Sequence, residues 1–309
     1  MQIVFALVAL VVGFVLLVKG ADWFVEGSAG IANKFGIPQI VIGLTIVAMG
    51  TSMPEAAVSI SAALRGSAEI TIGNVVGSNI MNILVILGLT AVVCQIAVQK
   101  TTIHYEIPMV IGVTILLAVM GLQNNIISRA EGVILLACMV VYMLYLLRLA
   151  KRGVVENEEM DAYAKQVSFG RLILLVVVGV AAIIFGSHVA VEAASAIARI
   201  FGISERFIGL TIVAFGTSLP ELAARRGNSD IAVGNIVGSN LFNIMFVVGI
   251  TAVIVPVVYQ PTFRVDSIVA VAAAVLLLVC VYRGRVLKRR HGLLMLACYG
   301  GYFAYLLLA

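Results

Sequence analysis

The sequence is poor in charged residues and contains no cluster of histidines or cysteines. Charged residues make up 11% of the 309-residue chain and hydrophobic residues 62%, far from the averages of soluble domains. The three histidines and four cysteines are dispersed through apolar stretches, which argues against a transition-metal or zinc site. We also find no nucleophile elbow, phosphate-binding glycine loop or cofactor motif, so the sequence predicts neither an enzyme nor a bound cofactor.

Long apolar runs fill most of the chain, and only short polar segments separate them. A membrane-spanning helix needs about 20 mostly apolar residues, so we predict an all-α protein embedded in a lipid bilayer. An even number of spans would place both chain termini on the same side of the membrane. We expect ten spans, near residues 2–33, 38–64, 70–96, 105–122, 130–149, 171–200, 206–224, 231–257, 265–282 and 292–308.

The basic residues are divided unequally between the two sets of loops that ten spans would create. Fifteen of the 20 Lys and Arg residues fall in the set that contains the 150–170 segment. Basic loops face the cytoplasm, so we predict a cytoplasmic linker and both termini outside, in the plasma membrane. The net charge of +5 is then a topology signal and does not predict nucleic-acid binding. The second set contains Arg65, Arg129, Arg199, Arg206 and Arg264.

Two sequence blocks occur twice, in the same order. The segment IGLTIVAMGTSMPE at 42–55 matches IGLTIVAFGTSLPE at 208–221. The segment IGNVVGSNIMNI at 72–83 matches VGNIVGSNLFNI at 233–244. Chance does not produce two such matches in one order, so the chain contains an internal repeat.

The repeat divides the chain into two halves, 1–149 and 171–309, joined by the linker at 150–170. Each half holds five predicted spans, and an odd number inverts the second half in the membrane relative to the first. Inverted repeats are typical of secondary transporters, which bind their substrates between the repeats. Glycines at four-residue spacing predict close helix packing in the second block of each half. These glycines are Gly73, Gly77, Gly234 and Gly238.

The repeated glutamates Glu55 and Glu221 lie deep within predicted spans. A carboxylate at this depth costs several kcal/mol unless it meets a partner or water, so a cation site is the best account of two equivalent ones. The adjoining G-T-S-x-P sequence combines glycine and proline, which disfavour a regular helix. We therefore expect broken helices at the core, since irregular backbone at this depth is tolerated only around a cavity or within protein.

The other candidate ligands are amide, hydroxyl and carbonyl oxygens. Asn82 and Asn243 each follow a serine, Ser78 or Ser239, by four residues, which places each pair on one helix face. Ca²⁺ takes six to eight oxygen ligands, so an all-oxygen set predicts Ca²⁺ binding, with Na⁺ at the surrounding hydroxyl and carbonyl positions and protons as competitors. Hydroxyls beside the glutamates and carbonyls freed by the broken helices complete the set: Thr51, Ser52, Thr217, Ser218, Ala48 and Ala214.

The duplicated G-T-S-x-P-E and G-N-x-x-G-S-N-x-x-N blocks resemble the alpha repeats of the calcium/cation antiporter family, which includes sodium/calcium exchangers and their prokaryotic relatives. The resemblance covers nearly the whole chain. It implies ten transmembrane helices, a core of the second, third, seventh and eighth, and long first and sixth helices that slide to alternate access. It implies a central Ca²⁺ site at Glu55, Asn82, Glu221 and Asn243. It implies Na⁺ ligation by Ala48, Thr51, Ser52, Ser78, Ala214, Thr217, Ser218 and Ser239.

Two features depart from the family pattern. Some prokaryotic exchangers carry an aspartate at the position of Asn243, which leaves the coupling ion open. Glu221 precedes Asn243 by 22 residues, whereas Glu55 precedes Asn82 by 27. The five-residue difference is a natural shortening, an engineered deletion, or residues that this sequence lacks although the molecule contains them. The close match on both sides favours the last two.

Several functions are compatible with these residues. An antiporter that exchanges Ca²⁺ for Na⁺ agrees best, and an H⁺-coupled or K⁺-assisted cation exchanger could use the same ligands. A cation channel would use similar oxygens, but it usually assembles identical subunits around an axis. An organic-solute symporter would need a basic partner for a carboxylate substrate, and two buried glutamates argue against it. The sequence does not predict an oligomeric state.

Overall fold

The chain folds almost entirely into helices. Eight of the described helices are long and apolar enough to cross a membrane, which confirms a helical multi-pass membrane protein. The predicted spans near 38–64 and 206–224 extend beyond the described residues, so the count of ten and the inverted orientation stay predictions. The computed structural model describes four stretches: residues 2–35, 48–150, 167–218 and 232–308.

Helices of the first half include two π-helical segments. The α4, π1 and α5 segments follow one another without a break, as do π2 and α6, and each series forms one candidate span. The elements are α1 (Gln2–Lys34), α2 (Ala48–Thr51), α3 (Met53–Leu64), α4 (Ala68–Met81), π1 (Asn82–Leu87), α5 (Gly88–Val93), β1 (Ile96–Ala97), π2 (Thr102–Glu106), α6 (Ile107–Asn124), β2 (Ile126–Ile127) and α7 (Arg129–Ala150).

The second half follows a similar order of elements. Its α11, π4 and α12 segments again form one continuous candidate span. The elements are α8 (Phe169–Phe201), α9 (Glu205–Ile208), π3 (Gly209–Val213), α10 (Ala214–Thr217), α11 (Ala232–Phe242), π4 (Asn243–Val248), α12 (Gly249–Ile254), β3 (Val257–Val258), α13 (Phe263–Tyr282), β4 (Val286–Leu287) and α14 (Arg289–Leu308).

The two 33-residue helices, α1 and α8, pack against each other in antiparallel directions. Gly13 contacts Ala190, and Gly20, one heptad later in α1, contacts Gly179, which lies earlier in α8. A Cβ atom on Gly20 would lie 2.8 Å from the Gly179 carbonyl oxygen. Glycine at these positions therefore lets the two backbones approach closely, as in other membrane helix pairs.

The spans that carry the second repeated block lie at the centre of the fold. In Glu69–Val93 and Val233–Ile254, 78% of the most apolar window is buried inside the protein, against 22–39% in the other six candidate spans. The outer spans expose many large apolar side chains, as expected for surfaces that face lipid. The centre of the protein is therefore formed by the helices that carry the repeated asparagine and serine pattern.

The glycines of the second block pack differently in the two halves. A Cβ atom on Gly77 would lie 2.7 Å from the Leu210 Cα in π3, so the predicted close approach is confirmed there. Within the described stretches, a Cβ atom on Gly238 would meet only the Tyr142 hydroxyl, at 3.6 Å. That distance is an ordinary van der Waals contact, and it places α7 beside α11.

Two short antiparallel strand pairs connect the halves. Strand β1 pairs with β4, and β2 pairs with β3. Asn125 and Arg285 adopt left-handed backbone conformations, with φ of 55° and 49°, directly before β2 and β4. Each half thus supplies one strand to each pair, so the backbone hydrogen bonds of both strand pairs join the first half to the second.

A candidate cation site between the repeated motifs

Both G-T-S-x-P motifs interrupt or end a helix in the described residues. Ser52 lies between α2 and α3 with φ −93° and ψ 8°. Ser218 follows α10 with nearly the same angles, φ −85° and ψ 7°. A ψ near 0° departs from the helical value of about −42°, so the chain leaves regular helix at equivalent residues of both motifs. The break predicted at Ser52 is therefore observed, and the residues after Ser218 lie outside the described part.

Asn79 of α4 and Asn240 of α11 join these two central helices. Each donates its side-chain Nδ2 to the backbone carbonyl of the other at 3.2 Å. Both side chains are buried, where leaving a polar group unpaired costs about 1–3 kcal/mol. The reciprocal bonds therefore fix α4 and α11 relative to each other.

The same network orients the amides of Asn82 and Asn243. Because Asn240 uses its Nδ2 on Asn79, its Oδ1 accepts from the Asn82 Nδ2 at 3.0 Å. By the same reasoning, the Asn243 Nδ2 donates to the Asn79 Oδ1 at 3.2 Å. The remaining Oδ1 atoms of Asn82 and Asn243 are buried and receive no hydrogen bond from any part of the chain that the structure describes. Two oriented acceptors are therefore available to a cation.

A π-helical segment begins at each of these asparagines. Segment π1 starts at Asn82 and π4 at Asn243, and π-helical turns are frequent at functional sites. The two amides therefore have the same local backbone, although the preceding interval is five residues shorter in the second half.

Buried hydroxyls link the motif helices to the central helices. The Oγ atoms of Ser52 and Ser239 lie 2.7 Å apart, and the Ser78 Oγ lies 3.3 Å from the Thr217 Oγ1. Each pair joins a residue of the first half to one of the second. Four predicted ligands are therefore brought together by contacts between the two halves.

Glu55 is the described acid of this cluster, and its side chain has no exposed surface. The Ser218 hydroxyl donates to its Oε1 at 3.5 Å, at the long limit of hydrogen bonding. Asn74 donates to the Glu55 backbone carbonyl at 3.2 Å and accepts from Thr217 at 3.0 Å. Helix α3, which carries Glu55, packs against α4 and π4. A buried carboxylate thus lies beside the Ser218 hydroxyl, and Asn74 holds its backbone.

The carbonyl of Ala214 keeps a helical hydrogen bond, whereas the sequence predicted that the broken helix would free it. It accepts from the Ser218 backbone N–H at 3.1 Å. The Thr217 hydroxyl lies 3.3 Å away, but it has a single proton and is closer to the Asn74 Oδ1, at 3.0 Å, so one lone pair of the Ala214 carbonyl stays available. The cause is local, because the last helical hydrogen bond of α10 still reaches Ser218 even though the backbone angles there are no longer helical.

Three predicted ligands lie wholly or partly outside the described residues. Glu221 falls in the undescribed interval 219–231. Ala48 and Thr51 belong to α2, but their side chains are not among those described. Their roles as ligands stay predictions from the motif.

A family comparison decides the class of protein. The family model for sodium/calcium exchanger proteins matches residues 5–148 and 171–308. The chain belongs to the sodium/calcium exchanger protein family. This exchanger is therefore a membrane transporter of cations, and the family is not one of catalytic enzymes. Both matched segments contain one copy of each repeated block.

Relatives of this exchanger match along nearly the whole chain. CaxA of Alkalimonas amylolytica, a candidate antiporter, is 39% identical over 96% of this chain and 97% of its own. The sodium/calcium exchanger MaX1 of Methanosarcina acetivorans is 30% identical over 94% of this chain and 95% of its own. A solved structure of the sodium-calcium exchanger NCX_Mj, soaked with Na⁺ and Sr²⁺, has a TM-score of 0.68 and 32% identity, covering 98% of this chain and 99% of that one.

The sequence-based ligand set omitted three asparagines of this exchanger: Asn74, Asn79 and Asn240. All three are buried and hydrogen-bonded to residues of the cluster. Each belongs to the repeated G-N-x-x-G-S-N-x-x-N block, so the repetition itself was the available signal. Their amides bind other protein groups, and they therefore position the candidate ligands.

Proposed function

We propose that this protein exchanges Ca²⁺ for Na⁺ across the plasma membrane by alternating access. The observation that carries the proposal is the pair of buried Oδ1 atoms on Asn82 and Asn243. Within the described stretches no donor meets either oxygen, and the fully buried Glu55 lies in the same cluster. Buried polar atoms are normally hydrogen-bonded, so two oriented acceptors beside a carboxylate support a cation as their partner.

The chemistry of the ligand set supports Ca²⁺ as one of the ions. Carboxylate, amide, hydroxyl and carbonyl oxygens are the ligands of hard cations, and Ca²⁺ tolerates irregular geometry with six to eight of them. In the proposed site, the charges of two glutamates balance one Ca²⁺. The proposed central ligands are Glu55, Asn82, Glu221 and Asn243.

Na⁺ would bind at positions beside the central ion. The Ser218 hydroxyl bonds to the motif glutamate Glu55, and two buried hydroxyl pairs join the motif helices to the central helices. Hydroxyl oxygens of this kind suit a monovalent ion. The Ala214 carbonyl accepts the Ser218 backbone N–H, and its second lone pair is open to an ion. The proposed Na⁺ ligands are Ala48, Thr51, Ser52, Ser78, Ala214, Thr217, Ser218 and Ser239.

Alternation would come from movement of α1 and α8 along the motif helices. Gly50 packs against Val25 of α1, and Gly216 packs against the Phe14 ring of the same helix, both too closely for a larger residue. Helix α1 therefore contacts both motifs, and these contacts are apolar. A slide of α1 would change which motif it covers without breaking a hydrogen bond at either glycine.

The orientation follows from the distribution of charge. We propose that both termini lie outside and that the 150–170 linker is cytoplasmic, because fifteen of the 20 basic residues fall on the linker side. The count treated Arg206 as a loop residue, whereas its guanidinium is nearly buried and ion-paired in the structure. Without Arg206, the loops opposite the linker contain four basic residues instead of five, so the excess of basic residues on the linker side becomes larger.

The decisive experiment is ⁴⁵Ca²⁺ uptake into proteoliposomes that contain the purified protein. The vesicles are loaded with Na⁺, with K⁺, or with an acidic choline buffer. We expect uptake driven by internal Na⁺ alone. Uptake driven by internal acid, or uptake that also requires K⁺, would replace Na⁺ exchange by the H⁺-coupled or K⁺-assisted reaction. Passive uptake without any counter-ion would instead indicate a channel.

Glu55→Gln and Glu221→Gln test the shared site. Each substitution keeps the size of the side chain and removes one charge from the proposed Ca²⁺ site, so each is expected to abolish uptake. Glu131→Gln is the matched control, because Glu131 accepts hydrogen bonds from Ser128 at the start of α7, outside the cluster. If the Glu131→Gln control transports Ca²⁺ and either Glu55→Gln or Glu221→Gln also keeps the wild-type flux, the shared site is ruled out.

A further inference from the structure

Two buried acids lie outside the central cluster, one in each half. Glu106 is at the end of π2, and Asp266 is in the first turn of α13, 160 positions later. Two tyrosines on the last helix of each half are related by the same interval. The equivalent sets, which we call the first and second tyrosine frames, are Glu106, Tyr142 and Tyr145, and Asp266, Tyr302 and Tyr305.

The second tyrosine frame contains a cation supplied by the protein. Arg206 donates its Nε and Nη2 to the two carboxylate oxygens of Asp266 at 2.8 and 2.9 Å. The Tyr302 hydroxyl donates to the same carboxylate at 2.9 Å, and Tyr305 lies close enough to interact with Arg206. Asp266 has no exposed surface. One negative charge is therefore neutralised, in place, by one positive charge.

The first tyrosine frame has a buried acid and two aromatic rings at the equivalent sequence positions. Glu106 is only 7% exposed and accepts a hydrogen bond from Thr102 at 3.0 Å. Tyr142 and Tyr145 both lie close enough to interact electrostatically with its carboxylate. Their rings stack at 6.2 Å and 22°, against 6.4 Å and 23° for Tyr302 and Tyr305. The two frames thus share a buried acid and a stacked pair of tyrosines, but the described hydrogen bonds include none from Tyr142 or Tyr145 to Glu106.

The first frame lacks a protein cation among the described residues. No Lys, Arg or His there forms an ion pair with Glu106, and the buried Tyr145 hydroxyl has no hydrogen-bond partner. Around π2, Tyr105 is largely exposed, and His104 is exposed and bonded to the Lys100 carbonyl. From α13, the exposed Tyr282 packs against the His104 ring. From α11, Gly238 lies beside the Tyr142 hydroxyl.

The repeat explains this difference between the frames. The ungapped alignment of 25–55 with 191–221 pairs Arg206 with Ile40. Position 40 lies outside the described residues, so the sequence alone supports this pairing. The first half therefore retains the acid and both tyrosines of the second half, but an aliphatic residue stands at the position of the arginine.

We propose that Glu106, Tyr142 and Tyr145 bind one monovalent cation, either a proton or an alkali metal ion, in the role that the Arg206 guanidinium has in the second frame. A buried carboxylate without a counter-charge is strongly unfavourable, and in the second frame a buried acid beside two stacked tyrosines holds a single positive charge. The site is separate from the central cluster and does not depend on which ions are exchanged.

The test measures how the thermal stability of the full-length purified protein depends on cations, in a Glu55→Gln background that removes a charge from the central site. Three series are compared: pH 5 to 9 in choline chloride, and rising NaCl or KCl at constant pH and ionic strength. A ligand that binds only the folded state multiplies the folding equilibrium constant by about 1 + [L]/Kd. Above the Kd, each tenfold rise in the concentration of the cation that binds therefore increases the folding equilibrium constant about tenfold.

Three substitutions in this background isolate the frame. Glu106→Gln is expected to remove the cation-dependent increase, and Tyr145→Phe to shift it to higher cation concentration. Glu131→Gln, which removes a carboxylate elsewhere, is expected to keep it. A frame-dependent increase in the pH series alone identifies a proton, and one in NaCl or KCl identifies an alkali ion. If the increase is absent from all three series, or persists unchanged in Glu106→Gln, the proposal is overturned.

Discussion

Replacing Asp266 by asparagine is expected to destabilise the folded protein strongly, because it leaves a nearly buried guanidinium without its counter-charge. The two hydrogen bonds of the pair are 2.8 and 2.9 Å long, and the Arg206 side chain is only 11% exposed. Removing one partner of a buried ion pair costs about 3–5 kcal/mol. At about 2–4 °C per kcal/mol for a large domain, the unfolding midpoint should fall by about 6–20 °C.

The assay follows unfolding in detergent through Trp23, the one tryptophan of the chain. A second variant, Asp266→Asn/Arg206→Leu, removes both charges and should recover most of the lost stability, since no unpaired charge remains. Tyr302→Phe loses one hydrogen bond to the same carboxylate and should cost about 1–3 kcal/mol. A shift below about 2 °C in Asp266→Asn, or a double variant as unstable as the single one, would refute the reasoning.

Two further predictions concern movement and topology. Gly20→Leu places a side chain against the Gly179 carbonyl, so we expect the initial rate of ⁴⁵Ca²⁺ exchange to fall while equilibrium Ca²⁺ binding is retained; an unchanged rate would contradict sliding at this contact. A cysteine placed after Ala309, in a variant whose four native cysteines are replaced by serine, should react with an impermeant maleimide on intact cells. Reaction only after permeabilisation would reverse the proposed orientation.

The features that sequence reasoning predicted correctly depend on local chemistry. The helical membrane architecture follows from the apolar runs, and the break at Ser52 follows from the glycine and proline beside it. The tight packing of Gly77 against Leu210 follows from the spacing of small residues. In each case the relevant residues are close together in the sequence, so composition and spacing contain the information.

The features that the sequence reasoning missed depend on contacts between residues that are distant in the sequence. Asn79 and Asn240 were not assigned a role because their partners are 161 positions away. Arg206 was counted as a loop charge because nothing near it in the sequence identifies Asp266 as its partner. The π-helical turn at Asn82 was not predicted either, since an extra residue in a helical turn leaves no pattern in an apolar segment.

The positions of the polar contacts indicate which helices would move together in the proposed slide of α1 and α8. Asn79 and Asn240 join α4 to α11 by buried reciprocal bonds, and leaving such groups unpaired costs about 1–3 kcal/mol each. By contrast, Arg65 at the end of α3 meets Glu192 of α8 at 3.0 Å at a position where the glutamate is 62% exposed, and such pairs contribute about 0–1 kcal/mol. The contact of α1 with Gly216 is apolar. A slide of α1 and α8 past the centre therefore costs few polar interactions, whereas separating α4 from α11 would break buried ones, so the boundary of the moving body should lie between these two pairs of helices.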